Sequence, residues 1–294
     1  FVSRKNNLPG IFVKNDKNED VPIVDKSGKF VDQITDFAGM QVKSFSAIEG
    51  LTTDEQISIK LKKENKAFDV KKYEHSYPHC WRTDKPILYY PLESWFINST
   101  KLKEDLINKN KEINWQPEST GSGRFGNWLE NLVDWNLSRS RFWGTPLPIW
   151  RTKDAKEEIC IGSINELKSE IKKSVELGLM KSNISENLDL HRPFVDDIIL
   201  ASKKGYPMYR EKDIIDVWYD SGSMPFAQYH YPFENQETFE KMFPAKFIAE
   251  GVDQTRGWFF TLHAISIMLF GKVSYENVIS NGLVLDKDGN KMSK

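Results

Sequence analysis

A strand, a tight turn and a helix are indicated by the run Lys246-Phe-Ile-Ala-Glu-Gly-Val-Asp-Gln-Thr-Arg-Gly-Trp258. Lys246 to Ala249 suits a strand, Glu250 to Asp253 a turn, and Gln254 to Phe270 a helix with a wide apolar face. The segment from Val278 to Leu285 is then expected to form a second buried strand pair, interrupted by an Asn-Gly turn. This alternation of strands and helices predicts an α/β fold.

The turn after the first of these strands is the expected ligand-binding position. Open α/β sheets bind ligands outside the carboxyl ends of their strands, and the following helix offers free N–H donors. Glu250 could accept hydrogen bonds from ligand hydroxyls or an amine, Gly251 would let a ring approach the backbone, and Asp253 could cap the helix. An ordinary capped turn is the alternative that this pattern leaves open.

Two lysines and two tryptophans are further candidates for binding. Lys291 and Lys294 follow the Gly-containing turn Asp286–Asn290, and two ammonium groups on such a loop suit phosphate charge or are simply solvated. Trp218 and Trp258 each lie close to a glycine, where a large ring can line a small apolar pocket or belong to the core.

Another segment combines aromatic and basic residues, which suits either nucleic-acid stacking or a buried structural cluster. Its residues are Trp135, Arg139, Arg141 and Trp143. A possible metal cluster, His75 with His79 and Cys80, has no second pair of ligands nearby, so no metal site is predicted.

The composition excludes several classes of protein. The 294 residues are 39% hydrophobic and 28% charged, which is typical of a packed globular chain. A net charge of -1 requires that any polyanion be met by local patches. Cys80 and Cys160 cannot form a disulfide framework, which favours a reducing, cytoplasmic location. The most apolar stretch, Gly257 to Phe270, is too short and polar to span a membrane.

Helices are predicted at three further places. Thr53-Asp-Glu-Gln56 fits a capping box before a helix over 54–66. Apolar residues at helical spacing between Gly123 and Val133 predict a second helix. A third follows the capping box Ser163-Ile-Asn-Glu166 and ends near Gly178.

The motifs together resemble the class I aminoacyl-tRNA synthetases, and most closely their isoleucyl branch. The residues that carry the resemblance are Lys291–Lys294, Ala249–Phe259, Trp218–Ser223, Asp134–Gly144 and His75–Arg82. Lys-Met-Ser-Lys marks the class, whereas Asp-Gln-x-Arg-Gly-Trp-Phe resembles the isoleucyl branch and differs from the valyl and leucyl sequences at that place.

This resemblance implies three sets of site residues. The set that binds the aminoacyl-adenylate is Glu250, which contacts it, with Gly251, Asp253 and Gln254 on its adenosine and ribose side. The set that forms the walls of the isoleucine pocket is Trp218 and Trp258. The catalytic set that faces the phosphates is Lys291 and Lys294.

It also implies a reaction and its partners. The carboxylate of L-isoleucine would attack the α-phosphate of ATP in the presence of Mg²⁺, and the aminoacyl group would pass to the 3′ end of tRNA(Ile). Hydrolytic editing would remove mischarged valine. The implied enzyme is a monomer with no metal site of its own in this chain and no membrane partner.

The implied fold is α/β, the second half of a class I Rossmann-type catalytic domain preceded by the mostly β C-terminal part of an inserted editing domain. The expected division gives residues 1–90 to editing, 91–150 to the return into the catalytic domain, 151–213 to a surface insertion, and 214–294 to the second Rossmann half.

One family signature is missing from the sequence. No His-x-Gly-His motif, which helps the family to bind ATP, occurs in it. The resemblance puts this motif, the acidic residue for the substrate amine and the editing Asp before Phe1, and the anticodon-binding helices after Lys294. The expected protein is therefore an internal fragment that is inactive alone. A fragment of a valyl-type or other class I enzyme, or a tRNA-binding structural piece, is the alternative.

Overall fold

A computed structural model describes residues 6–7, 10–43, 50–181, 188–290 and 292. The chain divides into two compact units, Phe1–Glu93 and Ser94–Lys294. None of the helices in the described ranges has the length and apolar composition of a membrane-spanning segment.

The first unit combines a short hairpin with one helix. Strands β1 (Phe12–Lys14) and β2 (Asp20–Pro22) pair in antiparallel fashion, and helix α1 covers Thr53–Lys63. The helix was predicted, but its capping box was placed one residue too late. The box forms between Thr52 and Glu55, because the neighbouring Thr53 hydroxyl donates to the Gln41 carbonyl at 2.6 Å.

The second unit holds the remaining elements. Its strands are β3 (Phe96–Ile97), β4 (Asn114–Gln116), β5 (Trp135–Asn136), β6 (Ser138–Arg139), β7 (Ile149–Thr152), β8 (Glu158–Cys160), β9 (Ile199–Ala201), β10 (Pro207–Arg210), β11 (Ile214–Ile215), β12 (Ile248–Gly251) and β13 (Asn277–Asn281). Its α-helices are α2 (Lys103–Asn110), α3 (Gly126–Glu130), α4 (Ile164–Glu176), α5 (Val217–Gly222), α6 (Met224–Ala227), α7 (Gln236–Met242) and α8 (Trp258–Phe270).

A parallel sheet with the strand order β12-β13-β4 forms the centre of this unit. The helix α8 connects β12 to β13, so the predicted alternation of strand, helix and strand is present. Side chains on one face of the sheet, including Trp115 and Val278, belong to a buried core that also contains Phe259 and Phe260 of α8. This core fixes the start of α8 relative to the end of β12.

Only the first strand of the pair predicted over Val278–Leu285 forms, and it is β13. β13 ends at Asn281, which pairs with Gly251, the last residue of β12. Leu283 and Val284 are exposed instead of forming a second buried strand. The reason is that β12 ends at this level and offers no further backbone partner.

A helix was predicted between Gly123 and Val133, and its predicted bounds were wrong. A wide helical turn covers Thr120–Phe125, the α-helix α3 ends at Glu130, and Val133 is exposed. The wide turn begins where Gly121 lies against an indole: a Cβ on Gly121 would be 2.2 Å from the Trp115 ring. Tertiary packing therefore overrides the local helical spacing.

A separate antiparallel sheet has the order β8-β7-β10-β9 and packs against α4. The helix predicted after Ser163 is confirmed as α4, and Ser163 Oγ accepts the backbone N–H of Glu166 at 3.1 Å. Glu166 does not complete the capping box, because its carboxylate binds the N–H of Gly162 at 2.7 Å. Leu200 and Met208 belong to the segment 151–213, which was predicted to be a surface insertion. Both side chains are buried in the core that this sheet forms with α4.

Candidate functional site

The carboxyl ends of the three parallel strands lie at one edge of the central sheet. β12 ends at Gly251 and β13 at Asn281, and the two residues are register partners. A 3₁₀ turn, Val252–Arg256, then leads into α8. Four of the predicted site residues, from Glu250 to Gln254, are thus at the edge where open parallel sheets bind ligands.

Gln254 caps the helix α8. Its side-chain Oε1 accepts the backbone N–H of Trp258 at 2.9 Å, and its Nε2 donates to Asp253 Oδ2 at 3.1 Å. The sequence assigned the capping role to Asp253, which was wrong. Gln254 reaches the helix because a 3₁₀ turn separates it from the first helical residue.

Asp253 instead lies against the backbone of Gly251. A Cβ at Gly251 would be 2.6 Å from Asp253 Oδ1, so glycine makes this close approach possible. The carboxylates of Asp253 and Glu250 are both exposed at the sheet edge. They are available to accept hydrogen bonds from a polar ligand.

Trp218 belongs to the short helix α5, and its side chain lies next to Gly257, the residue before α8. A Cβ on Gly257 would lie 3.2 Å from Trp218 Cη2 and 2.7 Å from Gln254 Oε1. Gly257 therefore lets the indole edge and the capping amide meet over one backbone position. Trp218 remains 41% exposed, which leaves apolar surface free at this edge.

Trp258 joins α8 to α5. Its indole Nε1 donates to the carbonyl of Ser221 at 3.0 Å, and its ring is half-buried. The two helices are very close here, because a Cβ on Gly222 would lie 2.9 Å from the backbone of Thr261. The ring also borders a cavity of about 420 Å³, which Trp218 does not line.

The segment after β13 turns back on itself. Asp286 Oδ1 accepts the N–H groups of Asp288 and Asn290 at 2.9 and 2.8 Å, and the bond from Asn290 contributes most to holding the pKa of this carboxyl below its usual value. The backbone N–H of Met292 reaches the carbonyl of Val284 at 3.4 Å. Lys291 and Lys294 lie outside the described residues.

A buried carboxylate supports the helix that carries Trp218. Asp216 is 4% exposed and caps α5 by accepting the backbone N–H of Trp218 at 3.2 Å. Sequence reasoning missed both Asp216 and Gly257. An Asp immediately before a short helical run is an N-cap signal that could have indicated the first.

Helix α5 contains one carboxyl group with a perturbed pKa, that of Asp220. Burial raises the pKa of Asp220, the nearby charge of Asp216 raises it further, and a hydrogen bond from Thr145 at 3.1 Å opposes these effects. Within the described part of the chain, no three His, Cys, Asp or Glu side chains come together as a metal site.

Comparisons with known proteins give the family. A family model described as "tRNA synthetases class I (I, L, M and V)" matches residues 14–294. The chain is 62% identical to the isoleucine–tRNA ligase of Cytophaga hutchinsonii over its whole length, and 53% identical to that of Bacteroides thetaiotaomicron. The isoleucine–tRNA ligase of Clostridium acetobutylicum is 49% identical over 95% of the chain.

The chain spans 28% of the length of the first of these relatives, 29% of the second and 25% of the third. The resemblance drawn from the site motifs is thereby confirmed. The match over residues 14–294 means that the chain belongs to the class I tRNA synthetases.

Proposed function

We propose that the chain is part of an isoleucine–tRNA ligase, which activates L-isoleucine with ATP and transfers it to tRNA(Ile). Residues 214–294 are the second half of its Rossmann-type catalytic domain, and residues 1–90 are the C-terminal part of its editing domain. The observation that carries this proposal is the meeting of Trp218 and Gln254 over Gly257 at the carboxyl edge of a parallel sheet.

The exposed face and the unpaired edge of the central sheet support the proposal that the whole enzyme has a larger parallel sheet. Parallel sheets are normally covered on both faces. Here Trp115 and Val278 face the core, whereas Ala249 and Ile279, on the opposite face, are exposed. Among the described strands, β12 also pairs on one side only, with β13. A first Rossmann half would cover this face and extend this edge.

The proposed roles follow from the chemistry available at the sheet edge. Glu250 binds the adenylate, and Gly251 with Asp253 and Gln254 lines its adenosine and ribose side. Trp218 and Trp258 supply apolar walls for the isoleucine side chain. Indoles suit this purpose because they bury a large apolar area with little loss of side-chain freedom.

Adenylate formation of this kind needs no nucleophile from the protein. The carboxylate of isoleucine attacks the α-phosphate of ATP, and pyrophosphate leaves. Catalysis therefore depends on positioning and on stabilising negative charge at the phosphate oxygens, the proposed role of Lys291 and Lys294. Mg²⁺ fits a site with few protein ligands, since it commonly binds one or two carboxylates and the substrate phosphates. Glu250 and Asp253 are exposed carboxylates at this edge.

Isoleucine is the proposed substrate because the relatives matched over the whole chain carry that name. Editing belongs to the same proposal. Isoleucine and valine differ by one methylene, and this pair is itself a well-known example of a difference that an apolar pocket discriminates too weakly for accurate translation. A ligase for isoleucine therefore needs a hydrolytic site that removes mischarged valine.

The test is amino-acid-dependent ATP–pyrophosphate exchange by a full-length ligase that contains this sequence. We expect isoleucine to support exchange with the highest kcat/KM and valine to be about a hundredfold poorer, the size already known for discrimination between these two amino acids. Leucine and methionine serve as further comparisons. A higher kcat/KM with valine, leucine or methionine than with isoleucine would reject the isoleucine assignment.

A further inference from the structure

We propose that Arg139 and Asp216 are positioning residues for the amino-acid site: their ion pair holds α5 so that the Trp218 ring stays over Gly257. This inference rests on the proposed function. Neither residue is assigned a direct contact with substrate. They affect isoleucine binding only by positioning Trp218. A general effect on folding would not depend on the Trp218 side chain, so the two effects can be distinguished.

Asp216 is a buried acceptor for three donors. Arg139 Nη2 lies 2.8 Å from its Oδ2, Trp135 Nε1 lies 3.1 Å from the same oxygen, and Oδ1 accepts the backbone N–H of Trp218. The side chain of Asp216 is 6% exposed and that of Arg139 is 40% exposed. Removing either charge would therefore leave an imperfectly paired group at the N-terminus of α5.

Arg139 is itself held in place by the backbone around it. Its Nη1 donates to the carbonyls of Asn136 and Ser138 at 2.8 and 2.9 Å. Its strand, β6, pairs with β11, where Ile214 is the register partner of Arg139. The guanidinium thus presents Nη2 from a fixed position to the residue that follows β11. The pair connects the strand β6 to the start of α5.

The helix α5 depends on contacts at both ends. It has only six residues, too few for an isolated helix to be stable in water. At its C-terminal end, Ser221 accepts from Trp258, and Gly222 packs against Thr261. At its N-terminal end, Asp216 provides the side-chain cap. Loss of the ion pair with Arg139 would let Asp216 and its cap shift, and with them the first turn, which carries Trp218.

The expected consequence is selective for the amino acid. The Trp218 ring is 3.2 Å from the Cβ position of Gly257, so a small rotation of α5 changes the wall of the isoleucine pocket. The adenosine side is formed by residues of the β12–α8 turn, which the ion pair does not touch. Arg139 and Asp216 should therefore affect the KM for isoleucine and leave the KM for ATP nearly unchanged.

A double-mutant cycle in a full-length ligase tests this assignment. Asp216→Asn and Trp218→Ala are made singly and together, and the KM for isoleucine and for ATP is measured by pyrophosphate exchange. We expect Asp216→Asn alone to raise the isoleucine KM at least about fivefold, an ordinary size for coupled neighbours. In the Trp218→Ala background the same change should alter the isoleucine KM less than about twofold.

Arg139→Lys is the second variant, because it keeps the charge but loses the planar geometry of the guanidinium. It should produce a smaller shift of the isoleucine KM in the same direction, and it provides the measurement if Asp216→Asn does not fold. Arg151→Lys is the matched control. Arg151 pairs with Glu211 at 3.2 Å in the antiparallel sheet, and its substitution should leave both KM values unchanged.

Two results would overturn the proposal. One is an equal rise of the isoleucine KM from Asp216→Asn in the presence and absence of the Trp218 indole. The other is a parallel rise of the ATP and isoleucine KM values in Asp216→Asn or Arg139→Lys. If full-length wild-type ligase does not use isoleucine at all, the proposed function fails first, and this result is visible before any variant is compared.

Discussion

The side-chain Oε1 of Gln254 and the backbone nitrogen of Trp258 lie 2.9 Å apart, so a residue of the turn Val252–Arg256, which is proposed to line the adenylate, also caps the helix that begins with a tryptophan of the proposed pocket. This contact couples the two sides of the site. A change that displaces the Gln254 amide would expose the N-terminus of α8 and disturb the position of Trp258. The residue immediately before the helix, Gly257, controls this arrangement.

Gly257→Ala should impair isoleucine binding in the full-length enzyme. The new methyl group would lie 2.7 Å from Gln254 Oε1 and 3.2 Å from the Trp218 ring, so both side chains must move. Loss of an N-terminal cap typically costs about 1 kcal/mol, and we expect the isoleucine KM to rise at least about fivefold. Steady-state pyrophosphate exchange at saturating ATP measures this effect.

Gly123→Ala is the control for that experiment. Gly123 also lies in a helical turn, but a Cβ added to it meets nothing within 4 Å. The isoleucine KM of the Gly123→Ala enzyme should match that of the wild type. If Gly257→Ala behaves like Gly123→Ala, the close approach at Gly257 has no role in binding isoleucine.

His263 should make the second unit less stable in mild acid. It is fully buried, and this burial lowers its pKa from 6.5 to about 4, although the hydrogen bond to the Leu106 carbonyl at 2.9 Å opposes the shift. Between these two values the unfolded chain binds the proton and the folded chain does not. The free energy of unfolding therefore falls as the pH drops through this window, by about 2 kcal/mol between about pH 8 and pH 5.

His263→Gln provides the comparison, since its amide can still donate to the Leu106 carbonyl but does not titrate. Urea unfolding followed by circular dichroism at about pH 8 and pH 5 should give a smaller acid-induced loss for this variant than for the wild type. Equal losses in the two proteins would mean that His263 does not titrate as its burial requires.

Lys294→Ala should slow adenylate formation far more than it weakens isoleucine binding. A charge that acts on the departing pyrophosphate is most effective in the transition state, where one such contact is worth about 2.7 to 4 kcal/mol. We expect a hundredfold to thousandfold lower rate, on the order given by that range, in pre-steady-state adenylation at saturating substrates. A rate within about threefold of the wild type would assign Lys294 to the solvated surface.

The chain of residues 1–294 alone should not support isoleucine-dependent pyrophosphate exchange. It contains no His-x-Gly-His motif, and one face of its parallel sheet is exposed at Ala249 and Ile279. The purified chain and a full-length ligase are compared at equal concentration. Exchange above background by the purified chain alone would refute the expectation that it is an inactive fragment.

The sequence predicted those elements whose local signals agree with their packing. Helix α4 follows its Ser163 cap, and the unit of strand, turn and helix that ends in α8 follows its apolar pattern. The 3₁₀ turn before α8 was not predictable, because Gln254 reaches past Gly257 to cap the helix. Propensity assigned these residues to the helix itself, which begins at Trp258.

Predictions failed where distant residues decide the backbone. Thr53 binds the Gln41 carbonyl, which leaves the cap of α1 to Thr52. The limits of α3 depend on the Trp115 ring lying against Gly121, a contact that no spacing rule contains. The same reason hid the ion pair of Asp216, although its N-cap signal is local, because its partner Arg139 is 77 residues away in the sequence.

The most direct test of the proposed isoleucine site is the KM for isoleucine and for ATP in a full-length ligase with Trp258→Ala. The indole is proposed as an apolar wall, and losing the burial of such a side chain costs about 1.5 to 3 kcal/mol. The isoleucine KM should therefore rise about tenfold to a hundredfold while the ATP KM stays within about twofold. A higher ATP KM with unchanged isoleucine kinetics would contradict this assignment and make Trp258 a nucleotide-binding or core residue.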